Sequence, residues 1–310
     1  MITWLKKKAS TFLVPFIFLL SIGLLAYPSV SDYWNSFHQS EAIMSYSETV
    51  ADMTEDQHKE IIDHARQYNE KHPLNWNVTA SDIEAYHQAL NFNQDGIMGY
   101  IEIPKIDVKL SIFHGTDEKV LQTSIGHLEG TSLPVGGLGT HSVLSGHRGL
   151  PSARLFSDLD KLREGDIFTI HVLNETFTYQ VDQIRVVEPT DLSTIVVDPK
   201  QDLLTLVTCT PYGVNTHRLL VRGHRIENLD GQASVISDAV QIKAIFIAPF
   251  IAIPILLVLL IYILMVTSKS YQRRYKQRVE RYLAEQAIQP KKRKSKSYQD
   301  VIEQLRKLNR

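Results

Sequence analysis

The chain has 310 residues, a formal net charge of −1 and a single cysteine, Cys209. One cysteine excludes a disulfide within the chain. The sequence also lacks the patterns GxxxxGK[ST], GxGxxG and HExxH, which mark common nucleotide and zinc sites. We therefore expect no cofactor and no nucleic-acid partner.

Two segments lack charged residues: residues 9–30 and residues 244–268. At 1.5 Å per residue, each is long enough to cross a hydrocarbon layer of about 30 Å as a helix. Lys6, Lys7 and Lys8 precede the first segment, and residues 269–310 hold 14 Lys and Arg against 4 Asp and Glu. Basic flanks stay in the cytoplasm, so the sequence predicts two membrane anchors, cytoplasmic termini and an extracellular middle. A cleaved signal peptide is the alternative for the first segment.

Between the two apolar segments the pattern changes near residue 98. Residues 31–90 are polar and typical of helices, and short β-branched runs bounded by turn residues follow them. Seven or eight strands are predicted, seven of them at 99–103, 108–113, 140–146, 166–172, 176–187, 203–208 and 217–226. The pattern indicates a mainly β barrel or sandwich, with helices confined to the ends and to connections such as 152–162.

These patterns divide the chain into a helical, lid-like region at 31–98, a β domain at 99–228, a linker at 229–243 and a basic tail at 269–310.

A calcium-like spacing occurs just before the first predicted strand. Five residues fall at EF-hand positions 1, 3, 5, 6 and 12: Asn91, Asn93, Asp95, Gly96 and Glu102. Position 1 is Asn instead of Asp, and Glu102 belongs to a strand-like run where a helix should follow. The pattern therefore favours a solvated turn over a metal site.

Cys209 ends one predicted strand, the loop TPYGVN follows, and Arg218 stands near the start of the returning strand. A buried free cysteine often serves only as a small hydrophobic residue. If these two strands pair, however, the Arg218 guanidinium meets the thiol and favours the nucleophilic thiolate. Arg218 is also placed to stabilise an oxyanion.

Thiol catalysis also needs a proton-transfer partner, usually histidine. Of the 12 histidines, His147 is the best placed, because it follows a strand at a glycine-flanked turn, SGHRG. His217 and His224 are alternatives, and His141 is more typical of a structural residue. Spacing alone leaves this choice open.

The motif TLVTC with an arginine nine residues later, together with SGHRG upstream, resembles the sortase transpeptidases of Gram-positive bacteria. The longer stretch TLVTCTPYGVNTHRLLVRGHR, the run YIEIPKI and the second apolar segment resemble class C, the pilin-polymerising sortases.

The resemblance implies a closed sortase-type β-barrel with N-terminal helices, a transmembrane helix at each end, and His147, Cys209 and Arg218 in the catalytic positions. It further implies that Cys209 cleaves an LPxTG-like sorting signal between Thr and Gly. His147 protonates the leaving amine, and Arg218 holds the substrate or stabilises the oxyanion. The implied partners are pilin subunits, one of which supplies an acceptor lysine.

Class C sortases often carry a lid with an Asp-Pro-aromatic motif. The corresponding stretch, YNEKHPLNWNVTAS at 68–81, offers Trp76 as the aromatic but has no Asp-Pro before it. Trp76 is therefore a lid candidate. The alternative, which the sequence favours equally, is that Trp76 caps a helix as a hydrophobic residue packed on the barrel.

Three other functions stay open from the sequence. A secreted cysteine hydrolase would release the acyl group to water, and a membrane scaffold would not need the thiol. A housekeeping sortase would attach proteins to peptidoglycan, and the second anchor argues against it.

Overall fold

The computed structural model describes residues 2–72, 74–228, 255–262, 265, 269–288 and 303. The chain separates into two units, one of residues 23–241 and the other of residues 1–22 and 242–310. In the latter, residues 255–262 are helical and a further helix spans Lys269–Ile288. The predicted linker at 229–243 and most of the predicted second span at 244–268 lie outside the described residues.

Three helices precede the β domain: α1 (Ile2–Ala51), α2 (Glu55–Lys71) and α3 (Ala80–Gln88). They agree with the helical region predicted before residue 90. Capping boxes begin α2 and α3, where Thr54 pairs with Gln57 and Thr79 pairs with Asp82. Within the described chain, α1 is the one helix long and apolar enough to cross a membrane, judged by length and composition.

Eight strands form a closed barrel in the order β1-β2-β3-β4-β7-β8-β6-β5. Their bounds are β1 Ile97–Ile103, β2 Val108–His114, β3 Ile125–His127, β4 Thr140–Ser145, β5 Ile167–Val172, β6 Glu175–Val187, β7 Asp202–Thr210 and β8 His217–Ile226. The pairs β2–β3 and β4–β7 are parallel, and the other pairs are antiparallel. The predicted closed β-barrel is confirmed.

Buried hydrogen bonds attach the helices to the barrel. On α1, the Tyr46 hydroxyl donates to the carbonyl of Met98 at 3.1 Å and accepts from the N–H of Leu173 at 2.8 Å. On α3, the Tyr86 hydroxyl lies 3.1 Å from Nδ1 of His127, whose Nε2 lies 2.8 Å from the Ser132 carbonyl. His127 is fully buried, and this burial lowers its pKa to about 4.

Two local predictions need correction. The three-residue strand β3 was not predicted, and residues 152–162 form turns and a single 3₁₀ turn, Leu159–Lys161, instead of a helix. In that segment, the Phe156 N–H donates to the carbonyl of His147 at 3.1 Å, and the Ser157 hydroxyl accepts from the Gly149 N–H at 3.0 Å. The Phe156 N–H and the Ser157 hydroxyl are thus bonded to the loop of His147, and the segment does not form a helix.

The calcium-like stretch forms a turn that leads into β1. The side-chain oxygen of Asn91 accepts the Gly96 N–H at 3.0 Å, and that of Asp95 accepts the Ile97 N–H at 2.9 Å. Glu102 lies on β1 and pairs with Lys109 at 2.8 Å. The side-chain oxygens of Asn91 and Asp95 thus bind the backbone of their own turn.

Candidate active site

Cys209 and Arg218 face each other across the antiparallel pair β7–β8, as the hairpin predicted. Directly opposed residues of such a pair hold their Cβ atoms about 4.5–5.5 Å apart on one side of the sheet. Cys209 is a free thiol and is partly exposed. The register therefore presents a thiol and a guanidinium together, within reach of solvent.

His147 follows the strand on the other side of β7. In the parallel pair β4–β7, Ser145 is opposite Val207, and the Gly146 N–H donates to the Val207 carbonyl at 3.1 Å. His147 and Cys209 each come two residues after this last pair. We call the end of β4, the end of β7 and the start of β8, with His147, Cys209 and Arg218, the reactive edge.

Glycines on both sides of His147 allow its loop to pack tightly. A Cβ at Gly146 would lie 2.8 Å from side-chain atoms of both Ile125 and Phe156, so a larger residue would displace the loop. Gly149 has a φ of +78°, a conformation that favours glycine, and its Cα faces the ring of Tyr212 in the β7–β8 loop. The TPYGVN loop and the SGHRG loop therefore contact each other beside Cys209.

One nitrogen of the His147 ring forms no hydrogen bond with the described residues. Its Nε2 is buried and has no hydrogen-bond partner among the described residues, and Oε2 of Glu118 lies 3.9 Å away. Glu118 begins the short helix α4 (Glu118–Leu121). An uncommitted ring nitrogen beside a carboxylate is suited to carrying a proton to or from a substrate.

Arg218 is held by backbone groups alone in the described part of the chain. Its Nη1 donates to the carbonyls of Asn215 at 3.4 Å and His217 at 3.1 Å. Among the described residues no carboxylate forms an ion pair with it. An arginine carries five N–H donors, so several stay available for a substrate oxygen.

Sequence reasoning missed Arg148, although it stands next to His147 in the SGHRG motif. Its side chain is only 7% exposed, and it contacts the carboxylate of Asp160 at 2.6 Å and the Thr210 hydroxyl at 3.0 Å. Because Thr210 follows Cys209, Arg148 joins the two loops of the reactive edge. The motif could have suggested this residue, but only the fold shows its partners.

The other candidate histidines separate by position. His141 is buried between the Val196 carbonyl and the Thr205 hydroxyl, at 2.7 Å from each, and this burial lowers its pKa. His224 is opposite Leu203, at the far end of β7. His217 adjoins Arg218, and its Nε2 lies 3.2 Å from Glu188. Of these three, only His217 shares the reactive edge.

Trp76 is 40% exposed, and its neighbour fixes the segment to the barrel. The Asn75 N–H donates to the Gly130 carbonyl at 2.9 Å. Gly130 belongs to the β3–β4 connection. In this connection the Leu128 N–H binds the carbonyl of Val143 and the Ser132 N–H binds that of His141, so the connection runs towards the start of β4. This anchor therefore lies on the side of β4 that leads away from Cys209, and the lid role of Trp76 stays a prediction.

Comparison with known proteins agrees with this architecture. A sortase-domain family model matches residues 101–226. Sortase C1 from Streptococcus agalactiae is 58% identical, with a TM-score of 0.60, over 61% of this chain and 100% of that one. The sortase C of Streptococcus pneumoniae, whose structure was described as informative on catalysis and pilin substrate specificity, is 43% identical, with a TM-score of 0.55, over 61% and 97%.

Sortase D of Bacillus subtilis is 31% identical over 131 residues, which is 41% of this chain and 63% of that protein. The closed barrel and its strand order thus define a sortase-type fold. The chain belongs to the sortase family, and class C sortases are among its similar solved structures. The resemblance predicted from the motifs is confirmed.

Proposed function

We propose that this chain is a cysteine transpeptidase of class C, which cleaves an LPxTG-like sorting signal and joins the product to a lysine of a pilin subunit. The observation that supports the proposal is the register of β4, β7 and β8, because His147 comes just after β4, and Cys209 on β7 is opposite Arg218 on β8. The pilin as substrate is supported by likeness to the Streptococcus pneumoniae enzyme, whose description names pilin specificity.

In the proposed reaction, the Cys209 thiolate attacks the Thr carbonyl carbon of the sorting signal. The carbonyl oxygen becomes an oxyanion, which the N–H groups of Arg218 stabilise. The C–N bond to glycine then breaks, and His147 gives its proton to the leaving amine. A thioester forms between Cys209 and the threonine acyl group.

The second half of the reaction reverses the roles. A neutral lysine amine of the acceptor attacks the thioester carbonyl, and His147 takes the proton that the amine loses. The C–S bond breaks, the Cys209 thiolate returns, and an isopeptide bond joins the two subunits. No oxidant or cofactor enters this balance.

The same proposal covers topology and domain organisation. The barrel at 99–228 would lie on the extracellular face of the cell membrane, with the linker at 229–243 leading to a second span at 244–268 and the basic tail in the cytoplasm. The apolar helix α1 supports the first anchor. Protease added outside wall-stripped cells should digest residues 31–241 and spare the KKRK run at 291–294; cleavage in that run would contradict the topology.

A direct test uses the full chain in detergent with an LPxTG peptide, with and without a pilin bearing an acceptor lysine. Mass spectrometry should show an acyl adduct on Cys209, which the acceptor then removes as an isopeptide product. Release of the acyl group to water despite the acceptor would favour a cysteine hydrolase. Transfer only to a peptidoglycan amine would favour the housekeeping role.

A further inference from the structure

The part of α1 that follows the first apolar segment is bonded to the barrel. The Asp32 carboxylate accepts the Arg154 N–H at 2.8 Å. The side-chain amides of Asn35 and Gln39 both donate to the Thr123 carbonyl, at 3.0 and 2.9 Å. Asp32, Asn35 and Gln39 are spaced three and four residues apart, so they share one face of the helix. That face of α1 is therefore its barrel-binding face.

Both contact points lie beside His147. Thr123 stands three residues before Gly126, which is opposite Ser145 in the β3–β4 pair. Arg154 lies in the loop that follows His147, in the turn whose Phe156 N–H binds the His147 carbonyl. The barrel-binding face of α1 thus meets the barrel next to the reactive edge.

The opposite face of α1 is apolar and exposed. Tyr27, Val30, Trp34 and Phe37 are 55%, 60%, 65% and 55% exposed. They are spaced three, four and three residues apart and form a single row, which we call the aromatic stripe. The stripe begins inside the uncharged segment at 9–30 and continues two turns beyond it.

We propose that the aromatic stripe lies in the headgroup layer of the membrane and that α1 thereby holds the reactive edge at the membrane surface. Tryptophan and tyrosine are enriched at this layer, because one part of each ring system is apolar and another is polar. Tyr27 to Phe37 spans about 15 Å of helix, and one interfacial layer is about 5–8 Å thick, so the stripe reaches from the edge of the hydrocarbon core through the headgroups.

The charges near the aromatic stripe also favour the headgroup layer as its surroundings. No Lys or Arg occurs between residues 9 and 58, so the stripe lacks the permanent positive charges that would favour a nucleic acid or an acidic protein. The one charged residue in the stripe's span, Asp32, belongs to the barrel-binding face and is bonded to Arg154. Lipid therefore meets the aromatic side of α1 and the barrel meets its polar side.

This inference rests on the proposed function only for its substrate. A sorting signal whose own anchor is still in the membrane would present its cleavage site at the height of Cys209. If the reactive edge faced away from the bilayer, the substrate would need a much longer segment between its membrane anchor and its cleavage site. The surface placement therefore selects membrane-held substrates over released ones.

The placement is tested in full-length protein carrying Cys209→Ala, reconstituted in vesicles of phosphatidylcholine and phosphatidylglycerol. A fluorophore on Lys119→Cys, in α4 near Thr123, is compared with the same fluorophore on Lys200→Cys, at the far end of the barrel; both lysines are exposed. Strand β7 runs from the end of the barrel near Lys200 to the reactive edge, and its nine residues span about 30 Å.

Energy transfer to acceptors on lipid headgroups should be several times stronger from position 119 than from position 200. Equal transfer, or stronger transfer from position 200, would overturn the proposal. Since the Cys209→Ala background performs no thiol chemistry, this result is independent of the proposed activity.

A second test replaces two members of the stripe together, Trp34→Ser with Phe37→Ser. The matched control is Met44→Ser, on the same helix and 59% exposed but beyond the stripe. The double variant should lose several-fold in rate with a lipid-anchored sorting peptide and keep its rate with the soluble peptide, and the control should keep both. Equal loss with both peptides, or no loss with either, would contradict the proposal.

Discussion

The hydroxyl of Thr208 donates a hydrogen bond to the Gly146 carbonyl at 2.7 Å, and this bond joins the residue before Cys209 to the residue before His147. Thr208 is 2% exposed, so no water replaces the bond if it is lost. This buried hydroxyl therefore helps to set the spacing of the proposed nucleophile and the proposed acid.

Thr208→Val keeps the shape of the side chain and leaves the Gly146 carbonyl unpaired. We expect the free energy of unfolding to fall by about 1–3 kcal/mol and the acylation rate to fall more than tenfold. Thr140→Val is the control. The Thr140 hydroxyl donates to the Gly137 carbonyl at 2.7 Å, but Thr140 lies at the start of β4, away from His147. Equal acylation rates in the two variants would contradict the positioning role.

Cys209→Ala should abolish both the acyl adduct and polymer formation. The thiol is only partly buried, so its loss should change the free energy of unfolding by no more than about 1 kcal/mol. Intact-mass measurement reads the adduct and urea unfolding reads the stability. Fibre assembly by this variant at the normal rate would show that Cys209 is not the nucleophile.

Arg218→Lys should reduce turnover about a hundredfold or more, because one ammonium group cannot reproduce the directed donors of a guanidinium. Arg222→Lys is the control on the same strand, where the guanidinium binds Asp182 through two nitrogens at 3.0 and 2.9 Å. The control should lose some stability and retain its turnover. An Arg218→Lys enzyme within a few-fold of the wild type would leave Arg218 a structural residue.

Acid should destabilise the fold through His127. Its pKa is about 4 in the folded protein and about 6.5 when unfolded, so between these values only the unfolded chain binds the proton. The free energy of unfolding should therefore fall as the pH drops through 6.5 towards 4, by up to about 3 kcal/mol, and the slope from His127 should fade as the pH rises above 6.5.

Urea unfolding at several pH values measures this effect. His127→Gln should be less stable at neutral pH and should show a shallower slope below pH 6.5. Burial lowers the pKa of His114 and His141 as well, so part of the slope should persist. A slope unchanged by the substitution would assign the effect to other groups.

Trp76→Ala should accelerate the labelling of Cys209 by a small thiol reagent only a few-fold. The stretch lacks an Asp-Pro anchor, so a lid there would lack the charge-assisted hydrogen bonds of about 1.5–3 kcal/mol that an aspartate makes. Ile83→Ala, 38% exposed on the next helix, is the control. A hundredfold acceleration would mean a firmly closed lid, and no change would exclude Trp76 from any lid.

The sequence was most informative where a motif and a strand coincide. The predicted run 217–226 is β8 to the residue, and the opposition of Cys209 and Arg218 follows from a hairpin, a local structure. By contrast, β3 has three residues, too few to show alternation. The partners of Arg148 are 12 and 62 residues away in the chain, and a single sequence contains no signal for such contacts.

The parallel pairing of β4 with β7 has a consequence for the order of folding. Arg218 comes nine positions after Cys209, and Cys209 comes 62 positions after His147. Chain-closure entropy rises with the length of the loop, so the hairpin forms more readily than the parallel pair. The folding chain therefore holds Cys209 beside Arg218 before His147 reaches them. On this order, the pairing of β4 with β7 is the step that completes the proposed catalytic group of His147, Cys209 and Arg218.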